Sequence, residues 1–82
     1  MCARRIVLEL TTEKVTGCRE RPSLRFMAAL AEAERGDYVI LVADEDIIPS
    51  DIALASFKEE GFSVKSFERS LWRYRIEAVK EG

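Results

Sequence analysis

The sequence predicts an α+β fold, a two-layer sandwich with the element order β-α-β-α-β-β. Apolar residues form four short strand-like runs, and two stretches with helical spacing lie between the first three of them. Two helices cannot cover both faces of a four-stranded sheet. We therefore expect a mixed sheet with both helices on one face and the other face open. A length of 82 residues predicts a single domain over residues 1–82.

The first strand is predicted over residues 4–10, where apolar side chains occupy every second position from Ile6 to Leu10. The polar residues 11–21 predict a long loop. Pro22 then opens a helix that stops before Gly36, because proline fits the first helical turn and glycine suits the left-handed residue after a helix. The apolar stripe of this helix is flanked by Phe26 and Leu30, and the spacing assigns to it Leu24, Met27, Ala28 and Ala31.

The apolar run over residues 37–43 predicts a central strand. A second helix follows and ends at Gly61, and we expect Asp44, Asp46 or Ser50 to cap its start. Its predicted buried stripe comprises Ile52, Ala53, Ser56 and Phe57.

The last two strands are predicted over residues 62–68 and 71–79, as an antiparallel pair joined by a tight connection at residues 69–70. In the second of these strands alternate residues point to the core, namely Trp72, Tyr74, Ile76 and Ala78. The residues predicted on the open face of the sheet are Arg5, Glu9, Lys65, Arg73 and Arg75, with Val7 and Phe67 as further members.

Composition excludes much enzyme chemistry. The chain has no histidine, so a Ser-His-Asp triad, a Cys-His pair and a histidine-containing zinc site are ruled out. Its two cysteines cannot complete a four-thiolate metal site, and its glycines form no phosphate-binding pattern. The acidic turn at residues 44–46 is better explained by helix capping than by a metal. We expect neither a metal nor a cofactor.

The charge balance gives no general reason to expect nucleic acid or a membrane surface as a partner. Thirteen basic and fifteen acidic residues give a formal net charge of −2. No apolar run approaches the roughly 18 residues that a membrane span needs, and the N-terminus does not read as a signal peptide. We therefore expect a cytoplasmic protein with two free thiols. RNA binding through the open face is a further alternative.

Cys18 lies in the predicted loop just before the first helix, with Arg19, Arg21 and Arg25 within seven residues. A helix N-terminus and nearby cations both stabilise a thiolate, with Glu20 acting against them, so this position is a candidate nucleophile. The alternative is that Cys18 is an ordinary loop residue beside solvated arginines. Cys2, ahead of the first strand, is interpreted as an incidental thiol.

From about Gly17 to Lys80 the chain resembles the small sulfur-carrier proteins of the TusA/SirA/YeeD type, which share the β-α-β-α-β-β order and a two-layer fold. The residues that carry the resemblance are Pro22, Gly36-Asp37, Asp44-Glu45-Asp46, Asp51-Ile52, Gly61 and Lys80. The family reads Gly-x-x-Cys-Pro-x-Pro before its first helix. Counting back from Gly36 aligns Pro22 with the second proline of this motif and Arg19 with its cysteine. Cys18 therefore lies one residue before the position of the family's cysteine.

The resemblance implies that Cys18 holds sulfur as a persulfide and hands it to a partner protein. The chain would then be a sulfurtransferase or sulfur carrier without independent turnover, acting with a sulfur-donor or sulfur-acceptor protein. Arg19, Arg21 and Arg25 would lower the pKa of the thiol and hold an anionic group of the partner. The alternative is a non-catalytic binding or regulatory module that uses Arg73 and Arg75 on the open face. We expect a monomer or a weak dimer.

Overall fold

The computed structural model describes residues 4–12 and 21–82. These residues form six elements: β1 (Arg5–Leu10), α1 (Pro22–Glu32), β2 (Tyr38–Asp44), α2 (Ser50–Glu59), β3 (Phe62–Ser70) and β4 (Arg73–Lys80). The predicted element order and α+β fold class are confirmed. Among the described residues, no helix combines the length and the apolar composition needed to cross a membrane.

The four strands form one mixed sheet in the order β1-β2-β4-β3. β1 and β2 are parallel, whereas β4 runs antiparallel to both of its neighbours. Leu10 pairs with Ala43 and Asp44 pairs with Arg73, so the ends of β1 and β2 lie beside the turn that joins β3 to β4. We call this end of the sheet the hairpin end.

The core lies between one face of the sheet and the two helices. Both helices contribute to a single buried cluster with the inward side chains of the strands. Phe57 of α2 is fully buried and stacks edge-to-face with Phe26 of α1 and Phe62 of β3, at centroid distances of 5.3 and 5.2 Å. The hydroxyl of the buried Tyr74 donates to the Ile48 carbonyl at 2.7 Å. The predicted inward positions Tyr74, Ile76 and Ala78 are confirmed.

The helical stripes are narrower than the sequence predicts. α1 buries Phe26 and Leu30, whereas Leu24 is 58% exposed and Met27 is also exposed. In α2, Ala53 and Phe57 are buried as predicted, but Ile52 is 56% exposed. Ala28 and Ala31 of the predicted α1 stripe are exposed as well. These predictions are wrong, because a helix lying on one sheet buries only the side chains that point directly at it.

The β3–β4 turn is formed by Leu71 and Trp72, two residues later than predicted, because β3 continues to Ser70. Leu71 has a φ of 57°, in the left-handed region that bulky residues rarely adopt. The prediction that Trp72 is a core residue is wrong. Its side chain is 58% exposed, since it lies in the turn rather than on β4.

A β-bulge in β3 changes which side chains face the helices. The β3–β4 register shifts between Val64 and Ser66, so that Phe67 opposes the buried Ile76 and approaches the Tyr74 ring at 6.2 Å. A one-residue insertion exchanges the two faces of a strand beyond it. The prediction that Phe67 lies on the open face is therefore wrong.

The start of α2 is stabilised differently from the prediction. Its N-cap residue is Pro49, and neither Asp44, Asp46 nor Ser50 provides a side-chain cap. The Ser50 N–H instead donates to the Glu45 carboxylate at 2.8 Å. The positive φ angles expected of the two turn glycines are confirmed, at 93° for Gly36 and 82° for Gly61.

Candidate functional site

The predicted site residues fall into two groups. Cys18, Arg19 and Cys2 lie outside the described residues, so the predictions made for them stay predictions. Arg21 and Arg25 lie at the start of α1, where Arg21 is exposed and Arg25 is half-buried. Arg73 and Arg75 lie on β4, so the structure describes two separate sets of arginines.

The segment that contains Cys18 begins at the hairpin end. Thr12, the last described residue before it, contacts Asp44 at the end of β2. Arg21 leads into α1, and the opposite end of this helix lies beside the start of β1, where Arg4 donates to the Glu32 carbonyl at 3.3 Å. The chain therefore leaves β1 and enters α1 at the same end of the molecule.

From Arg21 onward, where the structure describes it, the N-terminus of α1 carries no compensating negative charge. The side chain of its N-cap residue, Arg21, makes no capping hydrogen bond. Pro22 is the first residue of the helix, and the first turn contains no acidic residue. The N–H groups of Leu24 and Arg25 donate to the Arg21 carbonyl. A helix N-terminus has a partial positive charge of about half a unit, so this end of α1 favours a nearby anion.

The N-terminus of α2 provides the contrast. Asp51 lies in its first turn, and the Glu45 carboxylate accepts the Ser50 N–H. That hydrogen bond is the first cause of a lowered pKa at Glu45. Of the two helix starts, the one that follows Cys18 in sequence is the one with no carboxylate at its cap or in its first turn; Glu20, just before it, lies outside the described residues.

Asp44 joins the elements that meet at the hairpin end. Its side chain is almost fully buried. One carboxylate oxygen accepts the Arg73 Nε–H at 2.7 Å, and the other accepts the Thr12 N–H at 2.9 Å and the Thr12 hydroxyl at 2.8 Å. The hydrogen bond from Arg73, followed by those from Thr12, lowers the pKa of Asp44 from 3.8 to about 2 against the opposing effect of burial. The carboxylate thus links the end of β1 to β2 and β4.

Arg73 and Arg75 lie on the open face as predicted, and each of these two pairs with a carboxylate. Arg73 pairs with Asp44, which is opposite it in the β2–β4 register. Arg75 pairs with Glu77 on the same strand. Glu77 also accepts the Tyr38 hydroxyl at 2.6 Å, and this bond is the first cause of its lowered pKa. These ion pairs orient both guanidinium groups and offset their charge.

A shallow groove of about 260 Å³ adjoins these ion pairs. Its lining residues come from the hairpin and from β2: Val42, Glu68, Arg69, Ser70, Arg73, Tyr74 and Arg75. Glu68 opposes Arg75 in the β3–β4 register and adds a negative charge to the groove. The surface near the two arginines therefore has charges of both signs.

The hairpin tip presents two large apolar side chains to solvent. Leu71 is 77% exposed, and Trp72 is 58% exposed. The tip is fixed by the Glu45 N–H, which donates to the Trp72 carbonyl at 2.7 Å, and by an Arg69–Glu45 ion pair at 3.3 Å. Sequence reasoning missed this feature because it placed Trp72 in the core. No sequence signal identifies it, because the position of the turn depends on where β3 ends, and the mixed polarity of β3 does not show its end.

Within the described part of the chain, no group of three or more metal-ligating side chains is positioned to hold a metal ion. No protein-family model matches the chain, and no curated protein matches it significantly.

Proposed function

We propose that this protein is a small sulfur carrier that accepts a persulfide sulfur on Cys18 and passes it to a partner protein. The observation that carries the proposal is the start of α1, a helix N-terminus without a carboxylate in its first turn or at its cap. Cys18 precedes this helix by four residues in the sequence. The β-α-β-α-β-β order, which the resembled family shares, supports the same proposal.

The proposed transfer needs only two cysteines. The Cys18 thiolate attacks the terminal sulfur of a persulfide on the donor protein. The sulfur–sulfur bond of the donor breaks as the new bond to Cys18 forms, and the donor cysteine leaves as a thiolate. Atoms and electrons balance between the two proteins, so the step requires no cofactor. We propose a cytoplasmic location for this chemistry, since free thiols persist there.

The arginines near Cys18 are proposed to favour its thiolate form. The positive end of α1 and the exposed Arg21 would lower the pKa of the thiol, with contributions from Arg19 and Arg25. The same cations would hold an anionic group of the partner. Arg73, which holds the buried Asp44, is proposed to act on the shape of the hairpin end rather than on the partner directly.

A protein partner is supported by the hairpin tip. Leu71 and Trp72 are exposed at the end of the molecule from which the Cys18 segment departs. Tryptophan is enriched among the residues that dominate binding energy in protein interfaces. We propose that the sulfur-donor or sulfur-acceptor protein contacts this tip.

Incubation with a cysteine desulfurase and cysteine, followed by intact-mass measurement, tests the proposal. We expect the mass to increase by one sulfur atom in the wild type and in Cys2→Ser, but not in Cys18→Ser. A reducing agent should remove the added mass. The proposal fails if no sulfur is added, or if the Cys18→Ser protein gains it equally.

The second candidate is a non-catalytic protein-binding or regulatory module that uses the open sheet face. The groove of about 260 Å³ beside Arg73 and Arg75 favours it. The test substitution is Arg75→Gln, because Arg73 also holds the buried Asp44 and its loss would disturb the fold. Partner binding in co-purification that is lost in Arg75→Gln and retained in Cys18→Ser would support the module. The reverse pattern would support the carrier.

A further inference from the structure

Within residues 4–12 and 21–82, the outer edge of β1 carries no proline, lysine or bulge to protect it from pairing. Within the described chain β1 pairs only with β2, in a register that is unbroken over six residues, and it contains no proline. The other edge strand, β3, carries a bulge at Lys65. Bulges, prolines and edge lysines are common means of blocking edge-to-edge association. Of the two edges, β1 is therefore the one suited to accept another strand.

The β1–β2 ladder determines which backbone groups of β1 point outward. The Tyr38 N–H donates to the Arg4 carbonyl at 2.8 Å, while Tyr38 is opposite Arg5 in the register. In a parallel ladder, alternate residues of a strand turn both backbone groups to the same neighbour. Ile6 and Leu8 thus bond to β2, whereas Arg5, Val7 and Glu9 direct their N–H and C=O groups to the free edge.

The side chains of the same three residues are also exposed. Val7 is 55% exposed, with Arg5 and Glu9 exposed on either side of it. Within the described chain, neither Arg5 nor Glu9 forms an ion pair. The edge thus presents a positive charge, an apolar centre and a negative charge, in that order along the strand.

We propose that β1 pairs antiparallel with β1 of a second copy of this chain, about a twofold axis at Val7, and that the two sheets become one. In this register Val7 faces Val7 of the second copy. Arg5 of each copy faces Glu9 of the other. The order of charges along the strand makes it complementary to itself when it is reversed, as a twofold axis requires.

The hydrogen-bonding pattern selects the same register. With Val7 on the axis, the outward N–H and C=O groups of Arg5, Val7 and Glu9 all find partners in the second copy. A shift of two residues places Arg5 opposite Val7 and separates the opposite charges. On the helix side of the sheet, the half-buried Ile6 faces Leu8 of the second copy, so apolar side chains meet there as well.

The contact is small, because one six-residue strand from each copy forms it. Such interfaces belong to the weak, concentration-dependent class. We expect light scattering to show the 9.3-kDa chain at low concentration and to approach twice that mass as the concentration rises. The proposal rests on β1 alone and is independent of the proposed sulfur transfer.

Amide hydrogen exchange locates the interface. The amides of Arg5, Val7 and Glu9 should gain protection as the concentration rises, because they are bonded only in the dimer. The amides of Ile6 and Leu8 bond to β2 in both states and should change little. This alternating pattern distinguishes pairing through β1 from association through any other surface.

Charge exchange gives the sharpest test. Arg5→Glu and Glu9→Arg should each weaken the dimer about tenfold, because each places like charges opposite one another twice in the interface. An equimolar mixture of the two variants should associate, and the double variant Arg5→Glu/Glu9→Arg should dimerise like the wild type. Arg35→Glu, the same reversal at an exposed turn position, is the matched control and should have no effect.

Three results would overturn the proposal. One is a single-chain mass at every accessible concentration. Another is a dimer that Arg5→Glu and Glu9→Arg leave unchanged, and the third is failure of the double variant to restore association while its fold is intact.

Discussion

Asp44→Asn removes a buried charge that holds three strands together at the hairpin end. In the native protein the carboxylate accepts hydrogen bonds from Arg73 and Thr12, and its pKa falls from 3.8 to about 2. One unit of pKa corresponds to about 1.4 kcal/mol, so this shift corresponds to about 2 kcal/mol of stability at neutral pH. The Arg73 side chain is 40% exposed and can regain water, which keeps the expected loss below that for a fully buried ion pair.

The pH dependence follows from the direction of the shift. The folded-state pKa lies below the unfolded value, so the contribution is complete above about pH 4 and is lost as the pH falls towards 2. The gap in unfolding free energy between wild type and Asp44→Asn should therefore be about 2 kcal/mol at pH 7 and shrink steadily below pH 4. Asp37 has a similarly lowered pKa, but it is present in both proteins and its effect cancels in the difference.

Urea unfolding of both proteins between neutral pH and about pH 2.5 measures this gap. Asp46→Asn is the matched control, because Asp46 is an exposed carboxylate in the same turn, and its cost should stay within about 0.5 kcal/mol. A gap that persists unchanged at low pH, or no gap at pH 7, would show that the Asp44 charge does not stabilise the hairpin end.

Three further predictions concern the core and the hairpin. Phe57→Ala should lower the unfolding free energy by about 3–5 kcal/mol in urea titrations, because the ring is fully buried between two others. Leu71→Gly should be more stable than Leu71→Ala by about 1 kcal/mol, since glycine adopts a φ of 57° without the strain that alanine has there. Equal stabilities of the two variants would contradict that backbone geometry. Trp72, the single tryptophan, should show the fluorescence of a solvated indole and be readily quenched by acrylamide. A blue-shifted emission that acrylamide does not quench would contradict its exposed position.

The fold could be predicted from the sequence because its signals are local. Alternating apolar residues in β1 and β4, the apolar run of β2 and the glycines after the helices each depend on neighbouring residues alone. These signals set the order of the elements, and the order then limits how two helices can cover the sheet.

The errors arose where a position depends on strand register. A bulge at Lys65 exchanges the faces of β3, which moves Phe67 to the helix side. The extension of β3 to Ser70 moves the turn to Leu71 and Trp72. No local pattern shows an inserted residue in a strand of mixed polarity, so the sequence predicts the wrong surroundings for these two side chains.

The ion pairs of Arg73 and Arg75 with carboxylates could not be predicted for a related reason. The sequence shows Arg73 and Arg75 on one face of β4, but not that the β2–β4 register brings Asp44 opposite Arg73. The sequence predicts a helix-capping role for Asp44 because this residue precedes a helix in the chain. Its actual partners are 29 and 32 residues away in the sequence.

The pH profile of alkylation at Cys18 tests most directly whether the start of α1 stabilises a thiolate. Iodoacetamide rates are measured in Cys2→Ser, where only Cys18 reacts, and in Cys18→Ser, where only Cys2 reacts. Free cysteine has a pKa of about 8.5, and we expect Cys18 to titrate at least one unit lower and to rise again in Arg21→Gln. A Cys18 profile that coincides with that of Cys2, and that Arg21→Gln leaves unchanged, would contradict the proposed carrier chemistry.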